Sequence, residues 1–441
     1  MGRLTDMIRA QLGRPRAQAG FALLVGTLIG AGASFIAAMV AARTLSLEEF
    51  AAFGVGIAVN SLTMQFADLG LGTVAMTEAA EAKDPHEARR QLIALTVRRF
   101  GTALAAGALI ALAVVFLPSL EPYRDVALIA VFGGAVGCLS FFSAGALQAY
   151  RRFREAGAVQ VVLGVSRLVL VAVAAAVGLG APAMMVGYAV LAPVLAMALG
   201  ATLLAIHSKN EMKSGEADAL IAAELKIESE DESERGHSRT SRRRYIAIMA
   251  VLGALLLNGD VLLLTTFGSA DDVATYSAAW RFAAGVLLLN TAIVGASLPF
   301  VMAADDAWAE VKKLARIGVA LAVGLLILVL PLTLIGVRVL GDVCKDAAGP
   351  LAVLLLAFSI DAYFFYTAQI YLRIRREKYF TVMIATELVS MVLITLIFRN
   401  QGAMAPALGQ LGTRVIACVM VSAPILLQRG DRISWFKSQI E

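Results

Sequence analysis

Charge is scarce in this chain. Asp, Glu, Lys and Arg make up 16% of its 441 residues and hydrophobic residues 59%, where a soluble domain carries roughly a quarter charged residues. With a mean hydropathy of +0.78, a water-soluble globule is excluded and an integral membrane protein is implied. Cysteine is nearly as rare. Cys138, Cys344 and Cys418 are scattered, and no two are spaced for metal binding or redox work. The three histidines, His86, His207 and His237, fall in or beside loops on one side of the membrane, unsuited to a shared metal site. No Gly-Lys pair occurs anywhere, so there is no phosphate loop for ATP. A primary pump and a metalloenzyme are thereby disfavoured, and no cofactor is expected. The N-terminus also lacks a short apolar core followed by a small-residue cleavage site, so no cleavable signal peptide is expected.

What fills the chain instead is apolar runs of about 20 residues, the length that crosses about 30 Å of hydrocarbon. Twelve are expected, near 20–42, 50–77, 97–117, 125–148, 157–179, 184–207, 244–267, 273–302, 315–339, 348–372, 380–398 and 405–427. Thirty Lys and Arg residues fall on the side of the two termini. The opposite loops hold five, Arg43, Arg124, Arg338, Lys345 and Arg399. By the positive-inside rule both termini are expected in the cytoplasm, with the chain multi-pass in the membrane. The net charge of +5 is then a topology signal and not a nucleic-acid footprint. Leu4, Ile8 and Leu12 share a helical face among Arg3, Arg9, Arg14 and Arg16, which suggests a helix on the inner membrane surface.

The chain repeats itself at half its length. Ser46-Leu47-Glu48-Glu49-Phe50-Ala51-Ala52-Phe53 matches Ser269-Ala270-Asp271-Asp272-Val273-Ala274-Thr275-Tyr276 at an offset of 223. Locally each octamer reads as a helix start, with Ser as N-cap and the acid three residues on closing a capping box. A second match, Gln148-Ala149-Tyr150-Arg151-Arg152-Phe153-Arg154 against Gln369-Ile370-Tyr371-Leu372-Arg373-Ile374-Arg375, has an offset of 221. Two parallel six-helix lobes are expected, related by an axis along the membrane normal. The expected divisions are an interfacial segment 1–19, lobes 20–207 and 244–427, a charged connector 208–243 and a tail 428–441.

An ionisable residue at mid-bilayer costs about 2.5–3.5 kcal/mol on insertion scales, so each needs a partner or a wet cavity. Matched depth pairs Asp260 with Arg281 across one hairpin and Glu387 with Arg414 across another. Such pairs serve either as struts or as charges that exchange partners with a substrate. Arg167, near mid-depth in the fifth span, finds no acid on its neighbours and has Gln160 on its face, so it reads as a phosphate contact or as a backbone-bonded arginine. Asp68 shares a polar stripe with Ser61 and Gln65, and Asp361 lies beside Tyr363-Phe364-Phe365-Tyr366. Either acid can carry a coupling ion or make a helix-packing bond. Pro193, Pro299, Pro331 and Pro424 fall within spans and invite bends, and Gly26-x-x-x-Gly30 and Gly133-x-x-x-Gly137 permit close helix contact.

In this order the motifs resemble those of the polysaccharide exporters that flip lipid-linked oligosaccharides, the O-antigen flippase type of the multidrug/oligosaccharidyl-lipid/polysaccharide (MOP) superfamily. The marks are Ala42-Arg43-Thr44-Leu45-Ser46 with Glu48-Glu49-Phe50, leading into Asp68-Leu69-Gly70-Leu71. Then come Gln148, Tyr150, Arg151 and Phe153, and finally Asp260 followed by Tyr276, Ala279, Arg281 and Pro299. The resemblance implies an all-α bundle of twelve transmembrane helices around a central cationic cavity. By alternating access it would move a polyprenyl-pyrophosphate-linked glycan across the membrane. Arg43, Arg167, Arg281 and Arg414 are the implied cavity cations. Asp68, Asp260, Asp361 and Glu387 stand as coupling or ion-pair acids, with H+ or Na+ as the coupling ion and a glycan polymerase or export machinery as partners. The alternative is a cation-coupled drug antiporter of the same superfamily, which would favour acids over arginines. A major-facilitator transporter lacks support, because 78–90 carries no Gly-x-x-x-Asp-x-x-Gly-Arg signature. An enzyme would need an outer catalytic loop, and no outer loop exceeds about eight residues.

Overall fold

The computed structural model describes residues 15–69, 71, 85–150, 152–211, 232–303, 307–340, 346–373 and 377–427. The surface helix expected around Leu4–Leu12, the middle of the connector and the tail lie outside the described residues. Twelve helical rods follow one another: α1 Pro15–Thr44, α2 Leu47–Asp68, α3 Pro85–Phe116, α4 Arg124–Ala149, α5 Phe153–Ala176 and α6, which runs as Ala181–Met185, a π-helical turn Val186–Leu191 and Ala192–Glu211. The second six are α7 Glu232–Leu264, α8 Ala270–Ala303, α9 Ala307–Leu340, α10 Ala348–Arg373, α11 Glu377–Ile397 and α12 Met404–Leu427. Ten stretches among the described residues are long and apolar enough to cross a membrane, and Ala348–Phe364 is a shorter apolar one. No strand occurs among them, as hydrocarbon demands: a helix satisfies its own backbone polar groups, and an open strand does not. The second span is shorter than expected. Leu69 turns left-handed at φ 44° and donates its N–H to Gln65, ending α2 at Asp68 and not near residue 77.

Neighbour relations repeat after six helices. In the first half α1 lies on α5, α2 and α3 on α4, and α6 on α4 and α5. In the second, α7 lies on α11, α8 and α9 on α10, and α12 on α10 and α11. Because six is even, both lobes enter from the same face, so the repeat is parallel. The α1–α5 contact shows what the small residues do: a Cβ on Gly26 would lie 2.6 Å from Gly157 Cα, and one on Gly164 would run into the carbonyl of Gly30. Close backbone approach of this kind replaces the hydrophobic drive that lipid cannot supply. The outward faces stay apolar, with Leu104, Leu109, Leu112 and Phe116 exposed on α3 and Ile327, Leu330 and Leu334 on α9.

The duplicated octamer does the same work twice. Ser46 caps α2 and Glu49 returns a bond to the Ser46 N–H. Ser269 and Asp272 do likewise for α8. Each acid also abuts a glycine just ahead of the sixth helix of its lobe, Gly180 for Glu49 and Gly402 for Asp272. Asp272 Oδ1 there accepts the Ala403 N–H at 3.0 Å.

The two lobes meet over only part of their length. We call the face away from the chain termini distal. One large core joins residues of both lobes, among them Ala41, Phe50 and Phe53 with Val273, Tyr276, Ala279 and Phe358, and most of its members sit in the distal half of the helices. The smaller cores near the other face each belong to one lobe: Ala144, Leu147, Ala156 and Leu163 in the first, Phe364, Met383, Ala417 and Val421 in the second. Among the described residues the lobes are therefore closed together distally, and no shared core joins them towards the termini.

Partial burial pushes the Asp272 carboxyl up, but the Ser269 N–H and hydroxyl and the Ala403 N–H together hold it below its ordinary 3.8. A lowered carboxyl contributes stability that is present above the unfolded value and lost as pH falls through the folded one. In detergent, the melting temperature should be flat above about pH 5 and fall between about pH 4 and 3. Asp272→Asn should make that fall shallower, and Ser269→Ala should cost about 1 kcal/mol at neutral pH. An unchanged acid limb in Asp272→Asn would remove this carboxylate from the account.

Candidate functional site

The distal seam brings α2 against α7 and α8, and α1 against α8 and the end of α9. A Cβ on Gly54 would sit 2.5 Å from Ser277 Oγ, so the lobes touch there backbone to side chain. Arg43, at the end of α1, reaches across to lobe two. Its Nε donates to the Val339 carbonyl at 2.8 Å and its Nη2 to Arg338 at 3.2 Å. These are last-turn carbonyls of α9, unpaired within the helix and at the negative end of its dipole, so a guanidinium suits them.

Below the seam two guanidiniums from opposite lobes lie within electrostatic reach of one another. Arg167 on α5 is half-buried, with its Nε donating to the Tyr188 carbonyl at 3.2 Å and its Nη1 to Ser34 Oγ at 3.5 Å. It lies 4.4 Å above the Tyr188 ring. Of the two readings open in sequence, the backbone-bonded one describes Arg167 at rest. Arg281 on α8 lies 5.2 Å from the Trp280 ring and leaves its Nε without a hydrogen-bond partner. Arg167 and Tyr188 are within electrostatic reach of it. Phe35 and Phe282 meet edge to face at 5.9 Å beside the pair. Neither guanidinium makes an ion pair among the described residues.

The expected Asp260–Arg281 bridge is not made. Asp260 is wholly buried, but its Oδ2 accepts from the Tyr276 hydroxyl at 2.5 Å and from Gln410 Nε2 at 2.8 Å, and its Oδ1 takes the Val261 N–H at 2.7 Å. Tyr276 and Arg281 are five residues apart, about 140° around the helix, so a helix that aims the phenol at Asp260 turns the guanidinium away, towards lobe one. Depth alone had paired them; helix azimuth unpairs them.

Arg414 and Glu387, matched by depth, do meet, with Nη1 3.2 Å from Glu387 Oε2. Asp361 Oδ1, which sequence left without a partner, lies 3.3 Å from the same Nη1, at a distance for charge pairing but without hydrogen-bond alignment. All three residues are at most 3% exposed. Arg414 is thus enclosed within lobe two by two carboxylates and does not face Arg167 and Arg281. Asp68 pairs with Arg99, whose Nε also donates to Cys138 Sγ at 3.2 Å and whose guanidinium lies 5.1 Å from the Phe142 ring. Sequence reading missed Arg99 because it stands at the edge of a basic run taken as a loop anchor. Its signal was a 22-residue apolar helix continuing beyond it, Leu95–Phe116.

This arrangement, two parallel six-helix lobes closed at one face with charges between them, is the fold of solved transporters of the MOP superfamily. An inward-facing multidrug resistance MATE family transporter of the MOP superfamily superposes with a TM-score of 0.63 at 14% identity, covering 95% of this chain and all of the other. The MATE multidrug transporter DinF-BH gives 0.63 at 13%, over 96% and 97%. An outward-facing multidrug resistance MATE family transporter gives 0.52 at 12%, over 95% and 98%. At such identities the likeness is one of fold. No curated protein sequence matches. A family profile does: residues 17–304, nearly two thirds of the chain, match the polysaccharide biosynthesis protein family, and the chain belongs to that family.

Arg43 ties the distal seam, so its removal should loosen it. In a background with the three cysteines replaced by alanine, spin labels at Leu179→Cys and Phe398→Cys, both exposed at the distal ends of opposite lobes, should show a longer and broader distance distribution in Arg43→Ala. Arg43→Lys, keeping the charge at the α9 end, should stay close to the parent. Identical distributions in all three would show that packing alone holds the seam.

Proposed function

We propose that this transporter flips a polyprenyl-pyrophosphate-linked glycan precursor across the cytoplasmic membrane for surface or exopolysaccharide synthesis. The observation that carries the reading is the pair Arg167 and Arg281. Two guanidiniums from opposite lobes lie against aromatic rings and make no ion pair among the described residues; Asp260 is within electrostatic reach of Arg281 but is engaged by Tyr276 and Gln410, and an anion between the lobes answers the remaining charge. A pyrophosphate bridging the lobes supplies charge to both, and a planar guanidinium grips two of its oxygens at once. The polyprenyl tail stays in lipid while the glycan occupies the gap between the lobes. The polysaccharide biosynthesis family supports the same substrate class.

In this reading the lobes, 20–207 and 244–427, rock about the connector 208–243. Both termini are cytoplasmic, on the thirty-to-five distribution of Lys and Arg. The described state then opens to the leaflet in which the precursor is presented. Arg43 moves from the substrate to the distal gate, and Arg414 from the cavity to the interior of lobe two. There Asp361 and Glu387 outnumber it by one negative charge, and we place the coupling ion, H+ or Na+, at that surplus. The same surplus favours, as a second reading, a cation-coupled antiporter of small molecules, whose cargo would not need Arg167.

Arg167→Gln separates the two readings. In cells whose own flippase is deleted, surface glycan should fall to background while the protein reaches the membrane at normal abundance, since the charge that holds pyrophosphate is gone and the insertion cost is relieved. Arg281→Gln should behave alike. Arg167→Lys should restore only part of the export, a point charge lacking the planar fork. Normal export by Arg167→Gln at normal abundance would end the proposal for this residue.

A further inference from the structure

The anchor of Arg167 has a cause in the sequence, and it lies on a different helix. α6 is interrupted by the π-helical turn Val186–Leu191, after which the Ala192 N–H donates to the Gly187 carbonyl, five residues back. In an α-helix that N–H would have gone to Tyr188. In the π register the Tyr188 carbonyl would fall to the next residue, but that residue is Pro193, which has no N–H to give. Tyr188 thus loses its helical partner twice, once by register and once by residue type. Its carbonyl, in a buried residue, would be an orphan in hydrocarbon, and Arg167 Nε fills it at 3.2 Å.

Three further contacts make this a seat and not a chance encounter. The turn lies directly on α5, where a Cβ on Gly187 would be 3.0 Å from Leu170 Cβ. The Tyr188 ring is held edge-on by Phe53 at 5.7 Å and presents its face to the guanidinium. Ser34 donates its own hydroxyl proton to the Gly30 carbonyl at 3.0 Å, which leaves its oxygen as acceptor for Arg167 Nη1. With Nε committed to the carbonyl and Nη1 held only at 3.5 Å, the terminal Nη edge is the part of the fork left for an anion with two oxygens.

We propose that Pro193 is a positioning residue for anion capture: by sustaining the π turn and withholding an N–H, it keeps the Tyr188 carbonyl open as the seat that aims Arg167 at the headgroup. The inference rests on the reading that Arg167 and Arg281 hold the anion. Pro193 itself is buried and carries no polar side chain, so it acts through the Tyr188 carbonyl. Replacing it by alanine returns an N–H to the helix, lets the Tyr188 carbonyl close within α6, and unseats the guanidinium.

The test uses the full chain in nanodiscs with inorganic pyrophosphate as the probe. It is followed by the fluorescence of Trp280, which adjoins Arg281, in a Trp308→Phe/Trp435→Phe background. Arg167→Gln and Pro193→Ala should each weaken pyrophosphate binding by about tenfold. The double variant should be no weaker than Arg167→Gln alone, because removing the seat of an absent arginine removes nothing. Tyr188→Leu keeps the carbonyl and loses only the ring, and should cost about two- to fivefold. Thermal stability of Pro193→Ala should hold or rise, so its folding is not in question. Unchanged binding in Pro193→Ala, or losses that multiply to about a hundredfold in the double variant, would overturn the positioning role while leaving Arg167 as a ligand. A loss in Tyr188→Leu as large as in Pro193→Ala would assign the seat to the ring and overturn it too. Unchanged binding in Arg167→Gln would overturn both this inference and the reading beneath it.

Discussion

A guanidinium in or at the edge of hydrocarbon must find oxygen, an aromatic face or a wet gap, and the way each such arginine meets that demand divides this molecule into parts. Arg43 takes two carbonyls at the end of α9 and so joins the lobes at the distal face. Arg99 takes Asp68, a thiol and a ring, and stays within lobe one. Arg414 takes two carboxylates and stays within lobe two. Arg167 and Arg281 hold one carbonyl, one hydroxyl and two aromatic faces between them, with Asp260 within electrostatic reach of Arg281 and no ion pair to either among the described residues. The proposed anion site is what remains once the other arginines are neutralised.

The duplication is symmetric in its scaffolding and asymmetric in its charge. Both octamers close a capping box, and both lobes repeat the same helix neighbours. These are local or backbone properties, and a copied sequence copies them. The buried acids are different: among the described residues Asp260, Asp361 and Glu387 all stand in the second lobe, and repeat-related positions in the first are apolar or hydroxylic, such as Ala37, Ser140 and Ser166. The first lobe contributes a guanidinium seated on a π turn, the second a guanidinium beside an acid-rich interior.

Closure at one face only is the conformational counterpart of this division. The large shared core holds the distal halves together with Phe50, Phe53 and Tyr276, while the cores near the other face are private to each lobe. A seam of that size, tied by Arg43, has to open for the opposite state to form. The carbonyl bonds of Arg43 are the polar fraction of that cost, and they lie at the aqueous edge, where water replaces them readily.

How much of this was legible before the fold is clearest residue by residue. Ser46 and Glu49 announced the start of α2, and Ser269 and Asp272 the start of α8, because capping acts within four residues. Span positions followed from hydropathy, since a slab of about 30 Å imposes a length on each apolar run. Glu387 and Arg414 were matched by depth, which a linear count along two helices measures. Asp260 and Arg281 matched equally well by depth and do not pair, because a count of residues gives height along the helix but not which neighbour the side chain meets. Pro193 was visible as a bend, yet that it exposes the Tyr188 carbonyl to a residue 21 positions upstream was not. The sequence by itself determined class, span number, the likeness of the two halves and the presence of charges that needed partners, all of which are set by short-range chemistry and the thickness of the bilayer. Tertiary structure alone decided which charges pair and which make no ion pair among the described residues, because that depends on helix azimuth and on contacts between residues far apart in the chain.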